Sequence, residues 1–205
     1  MNSQYLWGIA ACVLAYLMGS ISFAVVVSHF MKLPDPHTYG SGNPGATNVL
    51  RTGNKKAAIL TLLGDALKGF LAVYLAKLYF DGQDSSEWIL ALVAAFVFIG
   101  HLFPVFHGFK GGKGVATACG VLLGINIFLG LATLLTWLIM AIFFRYSSLS
   151  ALISAIFAPM YCFFLFGTQW MCLTVLAIGI LLIWRHQKNI QNLFSGKEAK
   201  IGQKK

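Results

Sequence analysis

Long apolar stretches alternate with short polar segments along this chain, and the pattern predicts helices that cross a membrane. A crossing needs about 20 apolar residues, with a range of about 17–25. The stretches extend from Tyr5 to Met31, Ala57 to Phe80, Trp88 to Phe106, Val115 to Phe144, Leu149 to Phe166 and Met171 to Trp184. The first stretch lacks the basic leader of a signal peptide, and further apolar stretches follow it. We therefore predict that it is a retained helix.

The composition supports a membrane protein and excludes a soluble one. The 205 residues are 58% hydrophobic and only 10% charged, with a mean hydropathy of +0.76. Soluble domains carry about 25% charged residues, so this chain has too few to cover a surface that faces water. We expect one integral-membrane domain over residues 1–205, all-α and polytopic, with a short basic tail from about residue 186.

The net charge of +9 is unevenly distributed, and its distribution predicts the orientation of the chain. The loop that contains Asp81, Asp84 and Glu87 is acidic, with only Lys77 nearby. Basic residues cluster instead in the other loops and the tail, and they include Lys32, Arg51, Lys55, Lys56, Lys110, Lys113, Arg145, Arg185, Lys188, Lys197, Lys200, Lys204 and Lys205. Since short loops rich in lysine and arginine stay in the cytoplasm, we predict the N-terminus outside and the C-terminus inside.

This orientation decides how the stretch from Val115 to Phe144 is counted. One long helix would leave Arg145 and the basic tail outside. Two short crossings, with a turn near Gly124 or Gly130, return every basic segment to the cytoplasm. We therefore predict about seven transmembrane helices, and five helices plus a re-entrant hairpin is the alternative.

The first polar segment is a loop with groups that can bind phosphate. Residues 40–48 read Gly-Ser-Gly-Asn-Pro-Gly-Ala-Thr-Asn, and Arg51 follows. The glycine spacing formally fits a dinucleotide fingerprint, but the loop follows a membrane helix rather than a strand, so we reject nucleotide binding. The loop offers the Ser41 hydroxyl, the amides of Asn43 and Asn48, and the guanidinium of Arg51, which matches phosphate in a bidentate way.

The second polar segment combines glycines with lysines just before a helix. It begins with Gly-His-Leu-Phe-Pro and continues through Phe-Lys-Gly-Gly-Lys-Gly-Val-Ala-Thr up to residue 117. Glycines reach positive φ without a Cβ penalty, so backbone N–H groups can converge on an anion, and the helix that begins near Val115 points its N-terminus there. The residues concerned are Lys110, Gly111, Gly112, Lys113 and Gly114. A tight turn in a positively charged cytoplasmic loop is the alternative interpretation, and the spacing is not that of a Walker A loop.

The third polar segment follows the last apolar stretch. It contains Arg185, His186 and Asn189, with Gly196 and Glu198 further on. On a helix, the histidine and Asn189 would share a face because they are three residues apart. A histidine at a membrane exit is also commonly an ordinary interfacial residue, so taken alone the segment supports either reading.

Two features lie inside apolar stretches. Asp65 and Lys68 are three residues apart on a predicted helix, where ionisable groups are costly and are normally paired or functional; a structural ion pair and a catalytic role both remain open. Gly120 and Gly124 form a small-xxx-small step that favours close helix packing.

The remaining histidines and cysteines suggest no metal site and no disulfide framework. We treat His29, His37 and His107 as isolated. The four cysteines lie inside apolar stretches at unrelated spacings, which is typical of buried thiols; they are Cys12, Cys119, Cys162 and Cys172.

Taken together in this order, the three polar segments resemble the acyl-phosphate:glycerol-3-phosphate acyltransferase family of bacterial membranes. The Gly-Ser-Ile near the end of the first helix and the Gly-Asp and Lys-Gly pairs around residues 64–69 fit the family as well. The resemblance covers essentially the whole chain. One departure is minor: Ser22 stands where many members have proline.

The resemblance implies a seven-helix enzyme of the bacterial inner membrane with its active site at the cytoplasmic face. It implies transfer of an acyl chain from acyl phosphate to the 1-hydroxyl of glycerol 3-phosphate, giving lysophosphatidic acid and phosphate. By motif position, Ser41, Arg51, Lys113, His186 and Asn189 are expected to bind phosphates and orient the reacting groups. We expect membrane lipid around the protein, and no cofactor, nucleic acid or stable protein partner.

Two other expectations complete the functional prediction. No histidine is followed by the His-x-x-x-x-Asp motif of soluble acyltransferases, and there is no Gly-x-Ser-x-Gly elbow. We therefore expect the substrate hydroxyl to attack the acyl phosphate directly. A transporter of a phosphorylated solute is the alternative, but the internal repeat typical of transporters is absent from the sequence.

Overall fold

The computed structural model describes residues 3–83 and 86–203, and every regular element in that part of the chain is helical. Asp84, Lys204 and Lys205, used in the charge argument, lie outside the described residues. The helices are α1 (Ser3–Gly19), α2 (Phe23–Phe30), α3 (Ala46–Val49), α4 (Lys55–Phe80), α5 (Ser86–Leu102), α6 (Val115–Ile125), α7 (Ile127–Phe144), α8 (Ser147–Phe166), α9 (Trp170–Arg185) and α10 (Gln187–Phe194). The predicted all-α polytopic class is confirmed.

Most of the predicted crossings correspond to helices that are long enough to span a bilayer. By length and composition α4, α5, α7 and α8 qualify singly, while α1 with α2 and α9 with α10 qualify as bent pairs. The remaining apolar helix, α6, has only 11 residues. The structure therefore has four to six candidate spans plus one short apolar helix among the described residues.

The first apolar stretch is broken, which corrects the expectation of one continuous helix. It divides into α1 and α2, which meet at an angle of 45°. The hydroxyl oxygen of Ser22 accepts a hydrogen bond from the Val25 N–H at 3.5 Å and caps the second helix. The break leaves the carbonyl group of Ile21 without a helical partner, and Lys68 Nζ donates to its oxygen at 2.6 Å.

The stretch from Val115 to Phe144 also divides, as the charge distribution predicted. The chain turns at Asn126, between the two glycines that were considered. The side-chain oxygen of Asn126 accepts from the N–H groups of Phe128 and Leu129 and caps α7. At the other side of the turn Lys77 Nζ lies 3.4 Å from the carbonyl oxygen of Ile125. Polar side chains of the protein thus satisfy both helix ends, as a break within apolar helices requires.

Small residues bring the central helices into close contact. A Cβ on Gly120 would collide with the Ala66 carbonyl group, and one on Gly124 would lie 3.0 Å from the Phe70 carbonyl oxygen. The small-xxx-small step therefore packs α6 against α4, as predicted. In the same way Gly100 on α5 packs against the backbone of α1 at Tyr16.

The four cysteines are free thiols. Cys12 and Cys162 are buried, and the other two are half-buried, which agrees with the prediction of thiols in apolar surroundings. The sulfur atoms of Cys162 and Cys172 lie 2.8 Å apart, so this pair is in contact despite its unremarkable spacing.

Candidate active site

The loop before α3 is held in shape by one amide. Asn48 is buried, and its side-chain oxygen accepts from the backbone N–H of Ser41 at 3.0 Å and from the Ser41 hydroxyl at 3.2 Å. Its NH₂ group donates to the carbonyl oxygens of Pro36 and Tyr39 at 2.8 and 3.2 Å. Asn48 therefore uses both ends of its amide to fix the loop and to orient Ser41.

Arg51 lies beside this loop because Gly40 leaves room for it. Gly40 has a φ of +59°, and a Cβ there would be 3.1 Å from Arg51 Nη1 and would collide with the Asn48 side chain. Arg51 and Ser41 are both exposed, while Asn43 is half-buried with its amide against Gly45. Ser41 and Arg51 thus both lie beside Gly40 and Asn48, at an exposed surface that a ligand can reach.

An arginine to which the sequence alone assigned no role in the site forms hydrogen bonds with the glycine loop before α6. Arg185 Nη2 donates to the carbonyl oxygen of Gly111 at 2.7 Å, and its Nε donates to that of Gly112 at 3.2 Å. The N–H of Gly112 in turn donates to the carbonyl oxygen of His101 at 3.2 Å. The two glycines are therefore fixed between α9 and the end of α5.

The requirement for glycine in this loop differs from the one expected. Gly111 and Gly112 do not have positive φ, and the N–H of Gly112 is already paired. A Cβ on Gly112 would instead collide with the His101 ring and approach the Pro44 carbonyl oxygen to 2.9 Å. Among Gly111, Gly112 and Gly114, the last alone is left-handed, with a φ of +86° at the start of α6. The glycines permit close packing of the loop rather than a curled run of N–H groups.

The first two polar segments meet directly. His37 Nε2 lies 3.1 Å from the carbonyl oxygen of Lys110, and its Nδ1 lies 2.7 Å from Asp35 Oδ1. The rings of His37 and His107 stack with centroids 6.5 Å apart. The expectation that these two histidines are isolated is therefore wrong. The side chain of Lys110 itself is exposed.

No group of three metal-ligating side chains is found in residues 3–83 and 86–203.

Lys113 and Asn189 come together, and a carboxylate sets the orientation of the amide between them. Lys113 Nζ donates to Asn189 Oδ1. The Asn189 NH₂ group donates to Glu198 Oε1 at 2.6 Å, and the Ser148 hydroxyl donates to the same oxygen at 2.6 Å. Since a carboxylate only accepts, Glu198 turns the NH₂ of Asn189 towards itself and leaves the amide oxygen facing Lys113.

Lys113 lies in an environment that favours loss of its proton. Burial is the largest cause, and repulsion from the charges of Arg51, Arg185 and Lys188 acts in the same direction, while Glu198 opposes them. Together they lower the pKa of Lys113 from its ordinary value to about 8. Arg51 belongs to the first polar segment, and Arg185 and Lys188 belong to the third. With Lys113 from the second segment, all three segments contribute charge to one site.

His186 lies between α9 and α10, which meet at 59°. It is 2% exposed, and its Nδ1 lies 2.7 Å from the Leu182 carbonyl oxygen. A carbonyl oxygen only accepts, so Nδ1 carries the proton and Nε2 is left as an acceptor. Burial lowers the pKa of His186 to about 4, so the ring is neutral at physiological pH. His186 lies at the bend itself, and Asn189 lies three residues further on within α10.

The structure brings Lys113 into contact with Asn189, and Ser41 into contact with Asn48, which are two pairs among the predicted site residues. Arg185 and Glu198 were noted in the third segment without a role, and Ser148 was not singled out. A charged residue at the end of an apolar stretch was the available signal for Arg185. The contacts of Glu198 and Ser148 join residues 50 positions apart, which no local pattern reveals.

Comparison with known proteins identifies close relatives over nearly the whole chain. A family described as glycerol-3-phosphate acyltransferase matches residues 9–196. A glycerol-3-phosphate acyltransferase of Cupriavidus pinatubonensis is 66% identical over 191 residues, which cover 93% of this chain and 95% of the relative. One from Burkholderia pseudomallei is 62% identical over 200 residues, covering 95% of this chain and 96% of the relative.

Two crystal structures share the fold. PlsY (YgiH), an integral membrane glycerol 3-phosphate acyltransferase, superposes in its glycerol 3-phosphate form with a TM-score of 0.89 at 39% identity, covering 95% of this chain and 96% of that chain. Its lysophosphatidic acid form gives a TM-score of 0.87 at the same identity, covering 95% of both chains. With its motifs, its helical architecture and its relatives in agreement, the chain belongs to the glycerol-3-phosphate acyltransferase family.

Proposed function

We propose that this protein transfers an acyl chain from acyl phosphate to the 1-hydroxyl of glycerol 3-phosphate. The products are lysophosphatidic acid and inorganic phosphate, and the reaction is the first acylation of phospholipid synthesis. The hydroxyl oxygen attacks the acyl carbonyl carbon, a new ester C–O bond forms, and the bond to the phosphate oxygen breaks. The proton of the hydroxyl leaves with the phosphate, so no acyl-enzyme and no cofactor are needed.

The observation that carries this proposal is the cluster of cations around Lys113. Arg185 contacts the carbonyl groups of Gly111 and Gly112 immediately before Lys113. Repulsion from Arg51, Arg185 and Lys188 contributes to the lowered pKa of Lys113. Glu198 acts on Lys113 in the opposite direction. Both substrates carry a phosphate, and an excess of fixed positive charge in a partly buried site is what two such anions require.

The residues of the first loop are proposed to hold the head group of a substrate. Ser41 offers a hydroxyl and Arg51 a planar fork that can bind two phosphate oxygens. Asn48 acts on the substrate through Ser41, because its own amide is fully used within the loop. Asn43 remains a proposed phosphate ligand.

The residues of the second and third segments are proposed to bind substrate phosphate, including that of glycerol 3-phosphate. Lys113 and Lys110 supply charge, and the N-terminus of α6 beyond Gly114 supplies unpaired N–H groups. Gly111 and Gly112 allow that loop to pack where these groups converge.

His186 and Asn189 are proposed to orient the reacting groups. With a pKa of about 4, His186 is a weak base at pH 7 and is better suited to accept a hydrogen bond than to remove a proton. Asn189 fixes the ammonium group of Lys113 through its amide oxygen.

The membrane location of the protein fits the second substrate. The apolar helices are proposed to hold the acyl chain while the polar loops hold the head groups at the cytoplasmic face of the inner membrane. The distribution of basic residues supports this orientation. No observation favours a transporter.

The donor is the feature that most needs a direct test. The purified wild-type protein and a Lys113→Met variant are assayed with glycerol 3-phosphate and either palmitoyl phosphate or palmitoyl-CoA. We expect the wild type to form lysophosphatidic acid and phosphate from palmitoyl phosphate, and the variant to lose most of this activity. Activity with palmitoyl-CoA alone would overturn the proposed donor.

A further inference from the structure

A buried polar cluster lies beneath the glycine loop, outside the residues assigned above. Asp65 and Lys68 on α4 form an ion pair with Oδ1 and Nζ 2.8 Å apart, and both side chains are almost fully buried. His101 at the end of α5 faces the same carboxylate, with its Nδ1 3.6 Å from Asp65 Oδ1. His101 is 7% exposed. The pairing of Asp65 with Lys68, one of the two alternatives from the sequence, is thus present.

This cluster has connections that a simple structural pair would not need. Lys68 donates to the carbonyl oxygen of Ile21, at the break between α1 and α2. His101 accepts the N–H of Gly112 through its backbone, and its ring lies directly against the α-carbon of the same glycine. The cluster therefore joins three helices to the loop that precedes Lys113.

The loop has two supports, and His101 is one of them. Arg185 holds the carbonyl groups of Gly111 and Gly112 from α9. The backbone carbonyl group of His101 holds Gly112 from α5, the His101 ring packs against the same glycine, and Asp65 Oδ1 lies 3.6 Å from Nδ1 of that ring. A change in the angle of that ring would move Gly112, and Lys113 is the next residue.

We propose that Asp65, Lys68 and His101 are positioning residues that set the place of the glycine loop and hence of the Lys113 ammonium group. Asp65 orients the His101 ring, and Lys68 neutralises the carboxylate and anchors it to the bend after α1. None of the three contacts the substrate. The proposal rests on the assignment of the glycine loop to phosphate binding.

The test removes the orienting group without leaving a buried charge. Replacing one partner of a buried pair is strongly destabilising, whereas replacing both with neutral groups is often tolerated. Asp65→Leu/Lys68→Met removes the group that faces His101. Asp65→Asn/Lys68→Met has the same net charge and keeps an amide oxygen in that place. Thr61→Val is a control, since Thr61 is buried one turn earlier on α4 and its hydroxyl is unpaired.

Three quantities are measured in each purified variant: KM and kcat for glycerol 3-phosphate, inhibition by inorganic phosphate, and the thermal stabilisation that glycerol 3-phosphate gives. In the Leu/Met variant we expect KM and the inhibitory phosphate concentration to rise about tenfold, or about 1.4 kcal/mol of binding free energy. We expect kcat to fall by less than about threefold, because the change affects binding more than the chemical step. The Asn/Met variant should recover most of the affinity, and Thr61→Val should match the wild type.

Two outcomes would overturn the proposal. Unchanged KM and phosphate inhibition in the Leu/Met variant would reduce the cluster to a structural pair. Equal impairment of both double variants would remove the contact between Asp65 and His101 from the explanation. If the Leu/Met variant does not insert, His101→Leu and His101→Asn give the same comparison, with the asparagine variant expected to bind glycerol 3-phosphate more tightly.

A failure of the proposed donor would not obscure this result. Thermal stabilisation by glycerol 3-phosphate requires no acyl donor, so it can be compared among the variants whichever donor the wild type uses. Suppose that glycerol 3-phosphate no longer stabilises the Leu/Met variant and that the wild type is inactive with palmitoyl phosphate. This pair of results would support the positioning role of the cluster and reject acyl phosphate as the donor. The reverse pattern would reject the cluster and support the donor.

Discussion

Lys113 is expected to lose its proton within the pH range of an ordinary assay. Its pKa of about 8 is low chiefly because the residue is partly buried, and the nearby cations lower it further. Above that pH the ammonium group becomes neutral, so binding of a phosphate weakens. We therefore expect kcat/KM for glycerol 3-phosphate to fall as the pH rises through about 8, since this ratio reports the ionisation of the free enzyme. The substrate itself does not interfere, because a phosphate monoester loses its second proton near pH 6.

The matched variant is Lys113→Arg. A guanidinium group stays protonated at any assay pH, so the decline should move beyond the measurable range even if the maximum rate is lower. A variant that still loses activity near pH 8 would assign that ionisation to another group.

His186 is expected to act as a neutral hydrogen-bonding group. Burial gives it a pKa of about 4, so the pH profile of kcat at saturating substrate should have no limb near 6.5, the value for an ordinary histidine. His186→Gln keeps a polar group and should retain more activity than His186→Ala. Equal loss in the two variants, with a limb near pH 6.5 in the wild type, would identify the histidine as a general base instead.

The individual residues of the site were more predictable than their roles. Glycine, lysine and arginine in polar loops between apolar stretches indicated a phosphate site, and Lys113 and Asn189 do come together. The sequence did not reveal that both ends of the Asn48 amide form hydrogen bonds within the loop, or that Arg185 binds backbone carbonyl groups. Such roles depend on which atoms are neighbours in the folded chain, and residue type does not determine that.

At the scale of elements, the glycine loop gives a prediction that rests on shape. Gly112→Ala would place a Cβ against the His101 ring and the Pro44 carbonyl group. The loop must then shift, so we expect a loss of kcat/KM about as large as in Lys113→Ala, with weaker inhibition by phosphate. Steady-state kinetics of the inserted and folded variants measures both effects.

Gly108→Asn is a suitable control for that loop. Gly108 has a φ of +58° with open space around it, and asparagine tolerates this conformation better than other residues. We expect nearly normal activity from it. A silent Gly112→Ala would show that the loop is only a tight cytoplasmic turn, the alternative that the sequence allowed.

Helix boundaries were predictable where a polar residue marked them. The division of the stretch from Val115 to Phe144 followed from charge, and Asn126, a good helix cap, marks the turn itself. The break after Gly19 was missed because the stretch stays apolar through it, although Ser20 and Ser22 were the available signal. The length of an apolar stretch indicates that it can cross a membrane, but not that it is one straight helix.

At the scale of the whole molecule, the orientation in the membrane stays a prediction that labelling can check. Thr168 and Lys200 are exposed and lie beyond opposite ends of α9. In a variant whose four cysteines are replaced by alanine, Thr168→Cys should react with a membrane-impermeant maleimide on spheroplasts. Lys200→Cys should react only after the membrane is opened. The opposite pattern would place the active site on the outer face.

The short helix α6 is shielded from the lipid surroundings of the protein by longer helices. Eleven residues rise only about 16 Å, roughly half the hydrocarbon thickness of a bilayer. Most of its residues are buried against other helices, whereas α7 exposes Phe128, Ile142 and Phe143 and rises about 27 Å. Hydrophobic mismatch is therefore expected to act mainly on the long exposed helices such as α7. A change in lipid chain length should strain α7 long before it affects the helix that begins at the active site.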